Sequence, residues 1–511
     1  MTRDERLERS LFWLVVALGV AAYCYQLGGI PPGLFVDETS AGYNARCILK
    51  SGADEYGVRF PLFFRSLDDY KGPVLMYAVV LTTGLFGATP LGVRLAPALM
   101  ALGFAATMFF LVRKVTGRPG LARWIAALTL FLPTTLVFGR QAVTEASSLG
   151  LVVSLTLLAL FRWQEAARTR FAFEAGALAG LCVYAYSTQR VLAPILIGVA
   201  AWSFYRCPRT RRTVWAFVLA GGLALLPYLA FQLSHPEALT RRFTRVSVLR
   251  DHPPLLLAAQ RIGAHYFQHL LSIDFLFRSG DPNPRHNLPS TGLLPVWMAL
   301  PLVLGVVALW QRREQPACRV LLFLLLLAPV PVALTDDFLP HASRMLHLVP
   351  LALVAASLAL AAGLESGRLT RGVATVLLGF ALFEGFQVLH KYFTDYAVSS
   401  GASFAEGEDA ALRAAFAARQ TGELVFVPAE LLAYDGTKVK FAVDGDCRAS
   451  RLEGPASLGV QPLGSLKPYP PGSVVITPDT FRPSETEAWR PLTTVRQLST
   501  NHPLWTVYRV E

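Results

Sequence analysis

Charge is scarce in this chain. Asp, Glu, Lys and Arg make up 16% of its 511 residues and hydrophobic residues 53%, with a mean hydropathy of +0.43. That balance excludes an ordinary soluble globular protein. The six cysteines lack metal-ligand spacing and show no pairing pattern; most lie in or beside apolar runs and read as small apolar fillers. There is no dense basic face either. The net charge of +12 is scattered between apolar stretches, so nucleic acid is not an expected partner. No small-residue cleavage site follows the apolar run at 11–27, which is read as a retained span and not a signal peptide. No internal repeat relates two halves of the chain, a point against a secondary transporter.

What is present is a series of apolar runs, and crossing a bilayer takes about 20 residues. They lie at 11–27, 93–112, 121–138, 147–162, 174–188, 191–205, 214–232, 292–310, 320–335, 345–363 and 372–390. The expected fold class is an all-α polytopic membrane protein of about eleven spans, with a small soluble α/β domain at the C-terminus. Basic residues orient it. Arg113, Lys114, Arg118 and Arg123 share one connection, and Arg162, Arg168 and Arg170 the next. Arg206, Arg209, Arg211 and Arg212, then Arg312, Arg313 and Arg319, then Arg368 and Arg371 follow. All fall on the side of the N-terminus, which the positive-inside bias makes cytoplasmic.

That agreement requires Pro73–Gly87 to lie in the outer interface as a short helix and not to cross. The predicted catalytic domain is 1–392, with two long outer loops at 28–92 and 233–291. Within the second loop, Leu255–Phe277 has the period of an amphipathic interfacial helix. Residues 393–511 form the predicted outer domain, in the periplasm or outside the cell. It has an amphipathic helix at Ala405–Gln420 and strand-like runs at Leu424–Val427, Val439–Val443, Val474–Ile476 and Trp505–Val510.

The residues able to do chemistry collect in the outer segments. Asp37 and Glu38 stand just behind the first span, where acids ordinarily open a helix. The same loop offers Asp54, Glu55, Asp68, Asp69 and Lys71, and a carboxylate partly desolvated beside lipid suits a general base. Glu145 emerges at the same depth, as a first-turn acid or as a second carboxylate able to hold a metal or position an acceptor hydroxyl. A third outer turn carries Asp336, Asp337, His341 and Arg344, the last two on one face at helical spacing. Arg344 fits a phosphate clamp or an interfacial snorkel, and Arg190 has the same two readings. Arg241, Arg242, Arg245 and Arg250 sit on the outer side against the charge bias, which sets them apart from those inside. Tyr43, Asp69, Asp281, His286 and His341 complete the expected substrate-binding set. His265 and His269 lack the Glu of a zinc-protease helix, and Asp444-Gly-Asp446 reads as a turn.

Several of these segments, taken in order, resemble the family 39-type glycosyltransferases. They are Asp37-Glu38, Asp69-Tyr-Lys71-Gly-Pro, Gly92-Val-Arg94-Leu, Arg140 with Glu145, and Pro340-His-Ala-Ser-Arg344. The group includes protein O-mannosyltransferases and bacterial transferases that place aminoarabinose on lipid A. The run Ser279-Gly-Asp-Pro-Asn-Pro-Arg-His-Asn-Leu-Pro is similar to a segment of other bacterial members. The resemblance covers roughly 10–390. It implies a GT-C fold, a sugar donor on a polyprenyl phosphate, and inverting transfer to a hydroxyl of a lipid, glycan or protein. By resemblance Asp37 is the base or orients the acceptor, and Lys71 contacts the lipid phosphate. An arginine of the long outer loop assists, with Arg241, Arg242, Arg245, Arg250 and Arg261 all open and Arg245 carried forward. Glu145 stands where many relatives have Asp, which leaves a divalent cation at Asp37 and Glu145 open. The alternative is a transporter or flippase for an amphipathic anionic lipid or glycan, which calls for charges deep within spans.

Overall fold

The computed structural model describes residues 3–67, 69–443, 447, 454–481, 488–498 and 500–511, without the side chains of 3–5, 239–242 and 435. Asp68, Asp444-Gly-Asp446 and the side chains of Arg241 and Arg242 therefore lie outside the described residues. The chain opens with α1 (Arg3–Cys24) and α2 (Val36–Ser51), then a hairpin of β1 (Phe64–Ser66) and β2 (Asp69–Lys71). Next come α3 (Pro73–Phe86), α4 (Pro90–Thr116), α5 (Pro119–Thr129), α6 (Pro133–Gly139), α7 (Leu149–Ala166), α8 (Thr169–Leu181), α9 (Gln189–Tyr205) and α10 (Val214–Ser234). The long loop contains α11 (Glu237–Val246) and α12 (Leu255–Leu271). The bundle closes with α13 (Ala299–Gln311), α14 (Pro316–Leu327), the single turn α15 (Val330–Ala333), α16 (Leu348–Glu365) and α17 (Arg368–Lys391). Proline at the first helical position starts α3, α4, α5, α6 and α14, where its missing N–H costs nothing.

Helices occupy all eleven expected positions, but not equally. Among the described residues seven are long and apolar enough to cross a membrane, and an eighth counts if α5 and α6, bent by 55°, are one span. The remaining three expected spans correspond to α8, α9 and the short apolar stretch Val296–Gln311, with 13, 17 and 16 residues. α3 has 14 residues, about 21 Å of helix against about 30 Å of hydrocarbon. α16 is the hub of the bundle: Leu348 to Leu358 are all buried. α8 meets α10 through small residues. A Cβ on Gly176 would lie 2.1 Å from the Phe217 carbonyl oxygen, so the two backbones approach as closely as glycine allows.

The C-terminal part folds around a five-stranded sheet of β3 (Val425–Val427), β4 (Val460–Pro462), β5 (Val474–Pro478), β6 (Trp489–Arg496) and β7 (Pro503–Val510) in the order β4-β3-β5-β7-β6. β3 is parallel to β4 and β5, whereas β7 runs antiparallel to β5 and β6. The turn α18 (Ala397–Ser399) leads in, α19 (Glu408–Ala418) packs Ala411, Leu412 and Ala415 onto the sheet, and α20 (Ala429–Ala442) follows β3. Two expectations are corrected. Val439–Val443 is the end of α20 and not a strand, because Val439 packs into the sheet core while Phe441 packs with α2; tertiary burial overrides a short β-branched run. The cysteines do contain a pair. Cys47 of α2 is disulfide-bonded to Cys447, 400 residues away, leaving Cys24, Cys182, Cys207 and Cys318 free.

Candidate active site

Asp37 stands in the first turn of α2, and its neighbours hold it there. Glu38 is wholly buried. Arg94 of α4 donates from Nε to Glu38 Oε1 at 2.9 Å and from Nη2 to Oε2 at 3.0 Å, and also to the carbonyls of Pro31 at 2.7 Å and Gly33 at 2.6 Å. Glu38 further accepts the N–H groups of Ala142 at 3.1 Å and Phe35 at 3.2 Å. Arg140 gathers the carbonyls of Ala22, Tyr25 and Ile30. Two buried guanidiniums thus satisfy the loose backbone between α1 and α2. Glu38, expected as a catalytic acid, is instead the strut beside Asp37, because a buried carboxylate is tolerated only when its charge is paired.

Lys71 ends the hairpin and donates from Nζ to Asp37 Oδ1 at 2.8 Å. The N–H of Gly72 goes to Glu145 Oε1 at 2.9 Å. A Cβ at residue 72 would lie 2.5 Å from the Tyr184 carbonyl oxygen, so glycine is what lets the hairpin seat here. Asp37, Lys71 and Glu145 all face one cavity of about 200 Å³. Its walls also include Phe35, Asp69, Tyr70, Tyr186, Arg285, His286, Asp337, His341 and Arg344. Backbone bonds from Val248 to Leu334 and from Asp336 to Val246 bring the long outer loop against the 336–344 turn.

The far wall differs from expectation in its cations. Arg344 gives both terminal nitrogens to Asp337, at 2.5 and 2.9 Å, and a third bond to Thr335; its charge is already matched by that carboxylate. Arg190 is not on the cavity wall: it donates to the Tyr70 carbonyl at 2.9 Å and lies over the Phe63 ring, supporting the hairpin from behind. Arg245 is exposed on α11 and Tyr43 is buried in an apolar cluster under α2, neither lining the cavity. Among the described residues, the long-loop arginine that reaches the cavity is Arg285, which lies over the Phe35 ring at 3.9 Å. Burial pushes its guanidinium below the usual range, and Asp37 foremost pulls it back up. Its signal in the sequence was only the run 279–289, where Asp281 and His286 drew attention first.

Asp281 organises this wall. Its Oδ1 accepts the Asn283 N–H and its Oδ2 the Ala342 N–H, both at 2.8 Å, while the Nδ1 atoms of His286 and His341 lie 3.1 and 3.7 Å from Oδ2. His269 serves the same turn. Its Nδ1 donates to the His265 carbonyl at 2.7 Å, so its Nε2 accepts the His341 N–H at 3.1 Å. Burial agrees with that neutral tautomer, lowering the imidazole to about 4. The cation reserved for Asp37 and Glu145 finds one oxygen of each already bonded, to Lys71 and to Gly72. Among the described residues the side chains that meet in metal-ligand fashion are Asp281, His286 and His341, with ligand atoms within 4.8 Å of one another.

The fold has counterparts. The family described as dolichyl-phosphate-mannose-protein mannosyltransferase matches residues 70–231, which include Lys71, Arg94, Arg140 and Glu145. No curated protein matches the sequence. The crystal structure of ArnT from Cupriavidus metallidurans bound to undecaprenyl phosphate is similar over 98% of both chains, with 14% identity and a TM-score of 0.56. Its apo state gives 15% identity, 98% of both chains and a TM-score of 0.57. The archaeal oligosaccharyltransferase AglB from Archaeoglobus fulgidus, in complex with an inhibitory peptide and a dolichol-phosphate, has 12% identity over 85% of this chain and 64% of its own, with a TM-score of 0.49. The chain therefore has the GT-C fold. Its architecture is ArnT-like and includes the C-terminal sheet domain, and the mannosyltransferase family model matches within the helical part.

Proposed function

We propose that this protein is an inverting glycosyltransferase that moves a sugar from a polyprenyl-phosphate carrier to a hydroxyl acceptor at the outer face of the inner membrane. The observation that carries the reading is the meeting of Asp37, Lys71 and Arg285 at one cavity in a bundle whose counterpart was crystallised with undecaprenyl phosphate. Asp37 takes the proton of the acceptor hydroxyl. The acceptor oxygen attacks the anomeric carbon from the face opposite the phosphate, the bond from that carbon to the phosphate oxygen breaks, and the lipid phosphate leaves with the electron pair. Configuration inverts. Lys71, touching the base on one side, and Arg285 stabilise the charge that grows on the leaving phosphate, a role that preorganised cations perform well in a site shielded from water. Glu145 keeps Lys71 in place through Gly72. Position on the outer face is supported by the Cys47–Cys447 disulfide, since such bonds persist on the oxidising side of a membrane.

Purified protein in lipid vesicles, given polyprenyl-phosphate sugars and a mixture of envelope acceptors, is expected to make glycosylated product detectable by mass spectrometry. Asp37→Asn should lower the rate by at least about a hundredfold at unchanged thermal stability. Lys71→Ala should chiefly weaken donor binding. Full transfer by Asp37→Asn would remove the assignment of the base.

A further inference from the structure

We infer that Asp281, His286 and His341 form a site for one divalent transition-metal ion of the Zn²⁺ type, with its remaining coordination position open to the cavity. Two imidazole nitrogens and one carboxylate oxygen are a donor set that such ions take in sites that keep an open position. The spacing fits. Ligand atoms placed about 2.0–2.1 Å from a tetrahedral ion stand roughly 3.3 Å apart, and the two nitrogens here stand 3.1 and 3.7 Å from the same Asp281 oxygen. All three ligand atoms lie within 4.8 Å of one another, the imidazole rings have centroids 4.7 Å apart, and His341 Nδ1 also lies 3.1 Å from Ser343 Oγ, a contact that an ion would replace.

The support behind the ligands is already built. The Asn283 and Ala342 N–H groups fix the carboxylate, the His269 imidazole holds the His341 backbone, and the His286 ring is stacked 6.1 Å from Phe138. Outer partners of this kind orient ligands in metal centres. His286 and His341 line the cavity whereas Asp281 does not, so an ion among them faces the cavity and not the protein interior. An oxygen of a phosphate or of an acceptor hydroxyl fits the open position. That role rests on the proposed transferase reading; the site itself does not.

The test is metal binding by the full-length protein in detergent. After chelator treatment, titration with Zn²⁺ followed by desalting and elemental analysis should retain about one equivalent per chain. His286→Ala with His341→Ala should weaken binding by at least about tenfold, compared at a temperature where both proteins are folded in the chelator. If that double variant fails to fold, Co²⁺ substitution of the wild type gives the answer alone. Tetrahedral visible absorption that disappears on adding Zn²⁺ supports the site, and its absence counts against it. Zn²⁺ retention no greater than that of the double variant overturns the proposal, as does Zn²⁺ retained only through the free cysteines, seen as loss on Cys→Ser substitution. Donor binding compared between wild type and Lys71→Ala, both in chelator, reports on the transferase reading separately from Zn²⁺ retention.

Discussion

Removing Arg94 would strand the Glu38 carboxylate in a site with no exposure, between α2 and α4. Breaking one side of a buried pair costs on the order of 3–5 kcal/mol, more than most single changes. Arg94→Ala is therefore expected to lower the thermal midpoint sharply, read in detergent, whereas the combined Arg94→Met and Glu38→Gln change should recover much of the loss. Asp37 behaves in the opposite way. It is partly exposed, and its partner Lys71 is partly exposed too, at 19% and 14%, so its removal should spare stability and cost activity. Adjacent acids with separate duties are hard to tell apart from sequence: both satisfy the pattern of a helix-opening turn, and only the position of Arg94, 56 residues away, decides which one is consumed by the fold.

At the scale of elements, the β1–β2 hairpin carries Lys71 to Asp37. It is held by Tyr70, whose carbonyl receives Arg190, and by Gly72, whose N–H goes to Glu145. Gly72→Ala should displace Lys71, because the added methyl meets the Tyr184 carbonyl oxygen at 2.5 Å. The expected result is a raised donor KM with a smaller change in kcat, measured by steady-state transfer kinetics. Glu145→Gln should be milder than Glu145→Ala, since an amide oxygen still accepts the Gly72 N–H. The helix α12 was legible from its period because its apolar residues Leu255, Leu256, Phe267 and Leu271 remain exposed, as an element lying at an interface requires. α20 was not legible, since its final turn alternates like a strand and its helical state is set by packing with α2.

For the whole molecule, the disulfide joins the helical bundle to the sheet domain at α2, the helix that carries Asp37. Arg46 of the same helix donates to the carbonyls of Lys440 and Phe441, so the joint is both covalent and polar. A cross-link over 400 residues restricts the unfolded chain by about 6 kcal/mol in the chain-entropy picture. Cys47→Ser is expected to make the sheet domain more susceptible to limited proteolysis, and a linked Cys47–Cys447 peptide should be found by non-reducing mass mapping of the wild type. Absence of that peptide from oxidised, membrane-extracted protein would argue that this domain does not face an oxidising compartment.

The sequence by itself determined the helical membrane bundle and the choice of Asp37, Lys71 and Glu145 as candidates, because long apolar runs and the polar segments between them are local properties that need no partner. Tertiary structure alone decided which of those residues are available. Lys71 meets Asp37 across 34 residues, Glu145 meets Gly72 across 73, and Cys47 finds Cys447 across 400. It also put Arg285 at the cavity in place of Arg245, and made Arg344 the partner of Asp337. Such pairings follow from how the helices pack and where the loops return, and no periodicity within one segment encodes them.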